Sequence, residues 1–278
     1  MTLSWWATDE SAYADFWPGF VARGTGNVLR MPGWSQAGGW GLLAGSALLL
    51  GAALGWFVPV PRRIIASIMA FGAGVLLSAV SFELIAEAHE QGGLLPTAIG
   101  AAGGALAYTG ANVLLARRGA RHRKRSGAQP SEQEAPGSGS AIAVGALLDG
   151  IPESVVIGAS LLSGGAVSVV TVVAVFLSNV PEGLSSAAGM RRAGRPSRYV
   201  FTLWAGIALV SGLAALAGYT LLGDAPPEVL ASITALAAGA ILAMITDTMV
   251  PESFEDAHLL VGLITVAGFL TAFALSHA

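Results

Sequence analysis

The chain contains no cysteine, so neither a disulfide framework nor a thiolate metal site can form. Charge is scarce as well. Only 11% of the residues are Asp, Glu, Lys or Arg, against about 25% in soluble domains. Histidine is limited to His89, His122, His258 and His277, which fall at the ends of apolar runs, in a loop or at the terminus. No nucleotide-binding motif is evident, so an ion gradient rather than ATP is the expected driving force. What remains is apolar: 54% of the residues are hydrophobic and the mean hydropathy is +0.68. A soluble fold of 278 residues has too small a core to hide that much apolar surface.

A bilayer core of about 30 Å is crossed by roughly 20 apolar residues in a helix. Eight such runs are predicted, at 38–58, 63–88, 94–116, 141–162, 165–190, 199–222, 228–252 and 258–277. The expected class is an all-α polytopic membrane protein. Small residues recur inside the runs, including Gly72, Ala73, Gly74, Gly100, Gly104 and Gly239, and small residues let membrane helices approach closely. Residues 1–37 carry Asp9, Glu10 and Asp15 early and lack the pattern of a signal peptide. With Trp5, Trp6, Trp17 and Trp34 they read equally as an extracytoplasmic segment lying at the membrane interface or as an unstructured tail.

Residues 117–140 differ from the rest, with Arg117, Arg118, Arg121, Arg123, Lys124 and Arg125 followed by Gly, Ser, Pro, Gln and Glu. This composition predicts a flexible, solvated, basic loop. Arg62 and Arg63 precede the second run, and Arg191, Arg192, Arg195 and Arg198 follow the fifth. Twelve of the fourteen basic residues therefore fall in loops on one side, which the positive-inside rule makes cytoplasmic. Both termini are then extracytoplasmic, and the chain is expected in the cell (inner) membrane. Beside membrane spans, the basic loop is read as a topology signal rather than a nucleic-acid site.

The second and seventh runs align at an offset of 165. Ala66, Ser67, Ile68, Ala70, Ala73, Gly74, Leu77 and Glu87 match Ala231, Ser232, Ile233, Ala235, Ala238, Gly239, Leu242 and Glu252. The fourth and fifth runs match at an offset of 29, where Pro152-Glu153 aligns with Pro181-Glu182. In the expected topology each matched pair runs in opposite directions. The pattern is a 3 + 2 + 3 inverted repeat (helices 1–3 at 38–116, helices 4–5 at 141–190 and helices 6–8 at 191–278). Inverted repeats are characteristic of secondary transporters, with the substrate site near the midplane.

The chemistry is concentrated in the central pair. The fourth run reads Leu148-Asp149-Gly150-Ile151-Pro152-Glu153-Ser154 and the fifth Leu177-Ser178-Asn179-Val180-Pro181-Glu182-Gly183. Asp149 and Glu153 are four apart and share a helix face, as do Ser178 and Glu182. Each Pro lacks the N–H that would bond four residues back, which frees the carbonyls of Leu148 and Leu177. Carboxylates inside a bilayer mark ion paths or proton relays. No Lys or Arg lies inside the spans beside Asp149, Glu153 and Glu182, which leaves protonation or a bound cation to neutralise them.

These motifs resemble those of the ZIP (Zrt/Irt-like protein) metal transporters, as a divergent bacterial-type member. The family has eight spans in a 3 + 2 + 3 arrangement, extracytoplasmic termini, a variable cytoplasmic loop after the third span and a metal site between the fourth and fifth. Its His-Asn-x-Pro-Glu-Gly motif corresponds to Asp149 through Ser154, and its second Pro-Glu-Gly motif to Ser178 through Gly183. The resemblance implies transport of zinc, iron(II) or manganese toward the cytoplasm. It implies metal ligands Asp149, Glu153, Ser178, Asn179, Glu182 and Asp247, with Glu83, Glu87 and Glu252 as lesser candidates. Glu87 and Glu252 lie near span ends, where water also solvates them.

The departures from the family are specific. Asp149 stands at the motif His. Ser211-Gly212-Leu213-Ala214-Ala215 lacks the acid that many bacterial members carry in the sixth span. Asp247 and Thr248 stand where His-Glu often precedes the seventh-span Pro-Glu, here Pro251-Glu252. Ala86 stands where the second span often has Pro. An all-oxygen ligand set lowers the expected preference for zinc relative to manganese or iron(II). The metal is the cargo, and no organic cofactor is expected. The expected partners are metal ions and the lipid bilayer, and a homodimer is compatible with the sequence. No enzymatic activity is expected, because Ser178 and Ser185 have no intramembrane His or Lys as base. The alternative function is a proton-coupled carrier of a small organic solute, in which the acids relay protons.

Overall fold

The computed structural model describes residues 32–120, 123–124, 126–127, 129, 131, 133–164 and 167–277. The expectations placed on Trp5, Trp6, Trp17, Arg121, His122 and Arg125 lie outside these. The described chain is helical, with no strand among the described residues. Helix α1 spans Gly33–Phe57 and α2 spans Arg62–Ala79, continued by a π-helical turn at Val80–Ile85 and by α3 at Ala86–Gly92. Helix α4 covers Leu94–Leu115 and ends in a π-helical turn at Ala116–Ala120. Then come α5 (Ser138–Gly164), α6 (Val169–Arg192) and α7 (Ser197–Leu222). Helix α8 (Pro227–Met244) continues through a π-helical turn at Ile245–Met249 into α9 (Val250–Ala257), and α10 covers Val261–Ser276.

Seven of these helical stretches are long and apolar enough to cross a membrane, which is compatible with a multi-pass membrane protein. The last of the seven, Pro227–Ser276, has 50 residues. As one straight helix it would reach about 75 Å, more than twice the hydrocarbon core. It does not run straight. His258 has φ +42°, in the left-handed region, and a 3-10 turn at His258–Leu260 follows. The chain doubles back there. Met249 in the preceding turn packs near Gly72, Asp256 to Leu260 line one cavity with Arg63, and Ser276 reaches Glu83. So α9 runs antiparallel to α2, and α10 runs parallel to it.

The offset of 165 between the second and seventh runs extends to the backbone. Helices α2 and α8 begin at Arg62 and Pro227 and end at Ala79 and Met244. The π-helical turns begin at Val80 and Ile245, and the positive-φ breaks fall at Gly93 and His258. Each of these pairs is 165 residues apart. Packing follows the same pairing. Helix α1 packs on α6 and α5 on α7, α4 packs on α8 and α2 on α10, and α1 and α7 pack on each other. Gly41 and Gly45 of α1 face Ala215 and Ala208 of α7, so those two helices are antiparallel.

Close approach explains two glycines of the repeat. A Cβ on Gly74 would collide with the Thr265 carbonyl of α10, and one on Gly239 with the Ala101 carbonyl of α4. The outer faces stay apolar, with Leu94, Leu106, Leu114, Leu213, Leu221 and Leu263 all exposed, as lipid contact requires.

Candidate cation site

Asp149 and Glu153 on α5, and Ser178, Asn179 and Glu182 on α6, are all buried, none more than 5% exposed. Pro152 and Pro181 lie inside their helices. The i, i+4 spacing turns each polar pair to the interior. Asn179 Nδ2 donates to the Ala44 carbonyl of α1 at 3.0 Å, and Ser178 Oγ donates to the Val175 carbonyl at 2.9 Å. Glu153 is within electrostatic reach of Glu182, Lys124 and Asp149. Its Oε1 has no hydrogen-bond partner.

The neutralising charge comes from a place the sequence reading did not consider. Arg123 and Lys124 belong to the segment expected to be solvated, yet each is 3% exposed. Arg123 Nε donates to Asp149 Oδ2 at 3.0 Å and Nη2 to Oδ1 at 2.9 Å, a bidentate pair. Nη1 donates to Asn112 Oδ1 at 2.7 Å, and Nη2 donates to the Tyr108 hydroxyl at 2.8 Å. Tyr108 in turn donates to Asp149 Oδ1 at 2.7 Å. Lys124 Nζ lies 2.8 Å from Glu182 Oε2 and 3.3 Å from Asp149 Oδ2, an ion pair to each.

The backbone of this segment is tied down too. Ser186 Oγ and Gln129 Nε2 donate to the Arg123 carbonyl at 2.7 and 3.0 Å, and Ser185 Oγ donates to the Lys124 carbonyl. Gly145 gives the guanidinium its seat, since a Cβ there would crowd Arg123 Nε at 2.8 Å. The solvated-loop expectation for 117–140 therefore fails for Arg123, Lys124, Ser126 and Gln129, all buried. An uncompensated carboxylate in a low-dielectric interior costs several kcal/mol, and a loop cation within reach relieves it.

Burial alone would push the Lys124 ammonium toward neutrality. Asp149 and Glu182 outweigh that and raise its pKa above the ordinary lysine value, so Lys124 carries its charge in the site. For Arg123 burial acts in the same direction, and Asp149 again reverses it.

Three carboxylates do not converge as a ready-made ligand set. Among the described residues, no group of three His, Asp or Glu could hold a metal ion together. Asp149 and Glu182 are bridged instead by Lys124, which screens two like charges that would otherwise repel. Asp247 is exposed in its π-helical turn and takes no part in these contacts. Glu83 is half-buried and accepts from Ser168 Oγ at 3.3 Å and from Ser276. Glu87 accepts from Gln91 at 2.9 Å, and Glu252 is half-buried on α9.

The residues missed from the sequence are Tyr108, Asn112, Arg123, Lys124, Gln129, Ser185, Ser186 and Gly145 in these roles. One signal was present: Tyr108 and Asn112 are four apart on α4 and so share a face of an otherwise apolar helix. Nothing distinguished Arg123 and Lys124 from the other basic residues around them.

Neither a family model nor a curated protein matches the chain. The fold and the site define an all-helical protein compatible with a multi-pass membrane location, in which two Pro-bearing helices bury three carboxylates beside two loop cations.

Proposed function

We propose that the protein moves a divalent metal cation (zinc, iron(II) or manganese) toward the cytoplasm through the carboxylate cluster of α5 and α6. The observation that carries this is an excess of buried carboxyl groups over the basic groups that reach them. Asp149, Glu153 and Glu182 supply three carboxylates against Arg123 and Lys124. Glu153 Oε1 is left without a partner. Buried carboxylates with spare oxygens, backed by the Asn179 amide and the Pro-freed carbonyls of Leu148 and Leu177, suit a cation that accepts oxygen ligands.

We read the architecture as eight spans in a 3 + 2 + 3 inverted repeat, with α8–α9 and α10 as the seventh and eighth. The helix starts, π-helical turns and breaks 165 residues apart support this, as does the antiparallel sense of α1 and α7. The basic loops face the cytoplasm in this reading, so Arg123 and Lys124 enter the bundle from the cytoplasmic side. The resemblance of the Pro-Glu motifs to ZIP transporters points the same way.

The second reading, a proton-coupled carrier of a small organic solute, is favoured by one observation. With both loop cations docked, a single proton on one carboxylate would complete neutrality. Uptake into liposomes separates the two readings. Divalent-metal transport predicts saturable accumulation of radiolabelled manganese or zinc above empty liposomes. Proton movement driven by an organic solute, with no metal accumulation, would favour the alternative and reject the first.

A further inference from the structure

Resting on the reading of the Asp149, Glu153 and Glu182 cluster as a divalent-cation site, we propose that Lys124 is a tethered, exchangeable counter-ion. It holds the cation's place between Asp149 and Glu182, and it leaves when the cation enters. Arg123 stays behind as the anchor of the segment on Asp149.

The two basic neighbours are held very differently. Arg123 makes four side-chain hydrogen bonds to Asp149, Asn112 and Tyr108, all between 2.7 and 3.0 Å, and Gly145 leaves it room. A planar guanidinium in a bidentate pair is a fixed fixture. Lys124 has two ion-pair contacts, 2.8 Å to Glu182 and 3.3 Å to Asp149, against the four side-chain hydrogen bonds of Arg123. Its ammonium is a point charge on a flexible stem. Rotation of that stem removes the charge while the Arg123 carbonyl stays bonded to Ser186 and Gln129.

Charge balance selects the same exchange. The three carboxylates carry a formal charge of minus three, and Arg123 and Lys124 together supply plus two. With Arg123 docked and Lys124 withdrawn, a divalent cation brings the cluster to neutrality. With both basic residues docked, the same cation would leave it at plus one. With both withdrawn, it would leave it at minus one. Buried net charge is costly, so the neutral combination is the favoured cation-bound state. The exchange also accounts for the lack of a ready three-ligand cluster among the described residues, because Lys124 bridges Asp149 and Glu182.

Lys124 is the only lysine in the chain, so amine chemistry reports on it alone apart from the N-terminus. The test acylates tag-free wild-type protein with an amine-reactive ester across a manganese titration. Peptide mass analysis reads Lys124, and retention of radioactive manganese on the same sample reads binding. Lys124 acylation should be slow without metal. It should rise about tenfold or more with manganese, with the same midpoint as binding. Lys124→Gln should bind manganese about tenfold or more tightly, because the tethered competitor that depopulates the binding-competent state is gone. If manganese binds while acylation stays flat and Lys124→Gln binds with unchanged affinity, the exchange is refuted and the metal site stands. If neither wild type nor Lys124→Gln binds manganese or zinc, the metal-site reading fails and the exchange falls with it.

Discussion

Glu182→Ala is expected to reduce metal uptake to below about 1% of the wild-type rate while leaving the protein folded. Removing Glu182 lowers the cluster to two carboxylates, which Arg123 and Lys124 neutralise between them. A divalent cation would then have to enter against a surplus of positive charge. An uncompensated buried charge costs several kcal/mol, and every 1.4 kcal/mol is a factor of ten. Glu153→Ala should lose transport to a similar extent, with no loss of stability. Glu153 has an oxygen with no partner, so its removal should leave the melting temperature unchanged or raised, as when a strained functional group is deleted. Liposome uptake and thermal unfolding of both variants measure this. Wild-type uptake in either variant contradicts the assignment of that residue.

The second large effect concerns the loop. Asp149→Ala should expose Lys124 to a lysine-specific protease, which has a single site in this chain. In the wild type the ammonium is buried between Asp149 and Glu182, and Arg123 is pinned to Asp149 on two oxygens. Breaking a buried pair by deleting one partner costs about 3–5 kcal/mol, which shifts the docked state by about 10² to 10⁴ in equilibrium. The segment can undock into water, so the loss should appear as local opening more than as global unfolding. Cleavage after Lys124 should quicken on the order of a hundredfold, with little change in melting temperature. Resistance equal to the wild type would show that Asp149 does not hold the segment.

Asp149→His is expected to open the loop in the same way, because an imidazole cannot accept the bidentate pair. The selectivity expected from Asp149 as a metal ligand is thereby altered. Both its oxygens are already engaged by Arg123, and Oδ1 also accepts from Tyr108. Any change in the zinc-to-manganese ratio on this substitution would combine a new ligand with a released segment.

The long apolar helices were legible because the length of an apolar run able to cross a bilayer is dictated by bilayer thickness. The break at His258 was legible because Glu255, Asp256 and His258 interrupt an apolar stretch. The burial of Glu153 and Glu182 was legible because each follows a Pro inside a long apolar run. The repeat was visible in side chains of the second and seventh runs, and the structure carries it to helix starts and π-helical turns that have no composition of their own. The docking of Arg123 on Asp149 was not legible. The partners lie 26 residues apart in segments with no shared periodicity, and a basic run beside spans reads first as a topology signal. Burial there follows from the charge of three carboxylates and from the space left at Gly145, neither of which a linear pattern displays.

The most direct measurement is an anomalous-scattering map from crystals of the wild-type protein grown with manganese. The account predicts one strong peak between α5 and α6, with Glu153 and Glu182 carboxylate oxygens about 2.0–2.6 Å from it, as oxygen-ligated divalent ions require. A peak only at Glu83, Glu87, Asp247 or Glu252, or no peak in protein that accumulates manganese in liposomes, would contradict it.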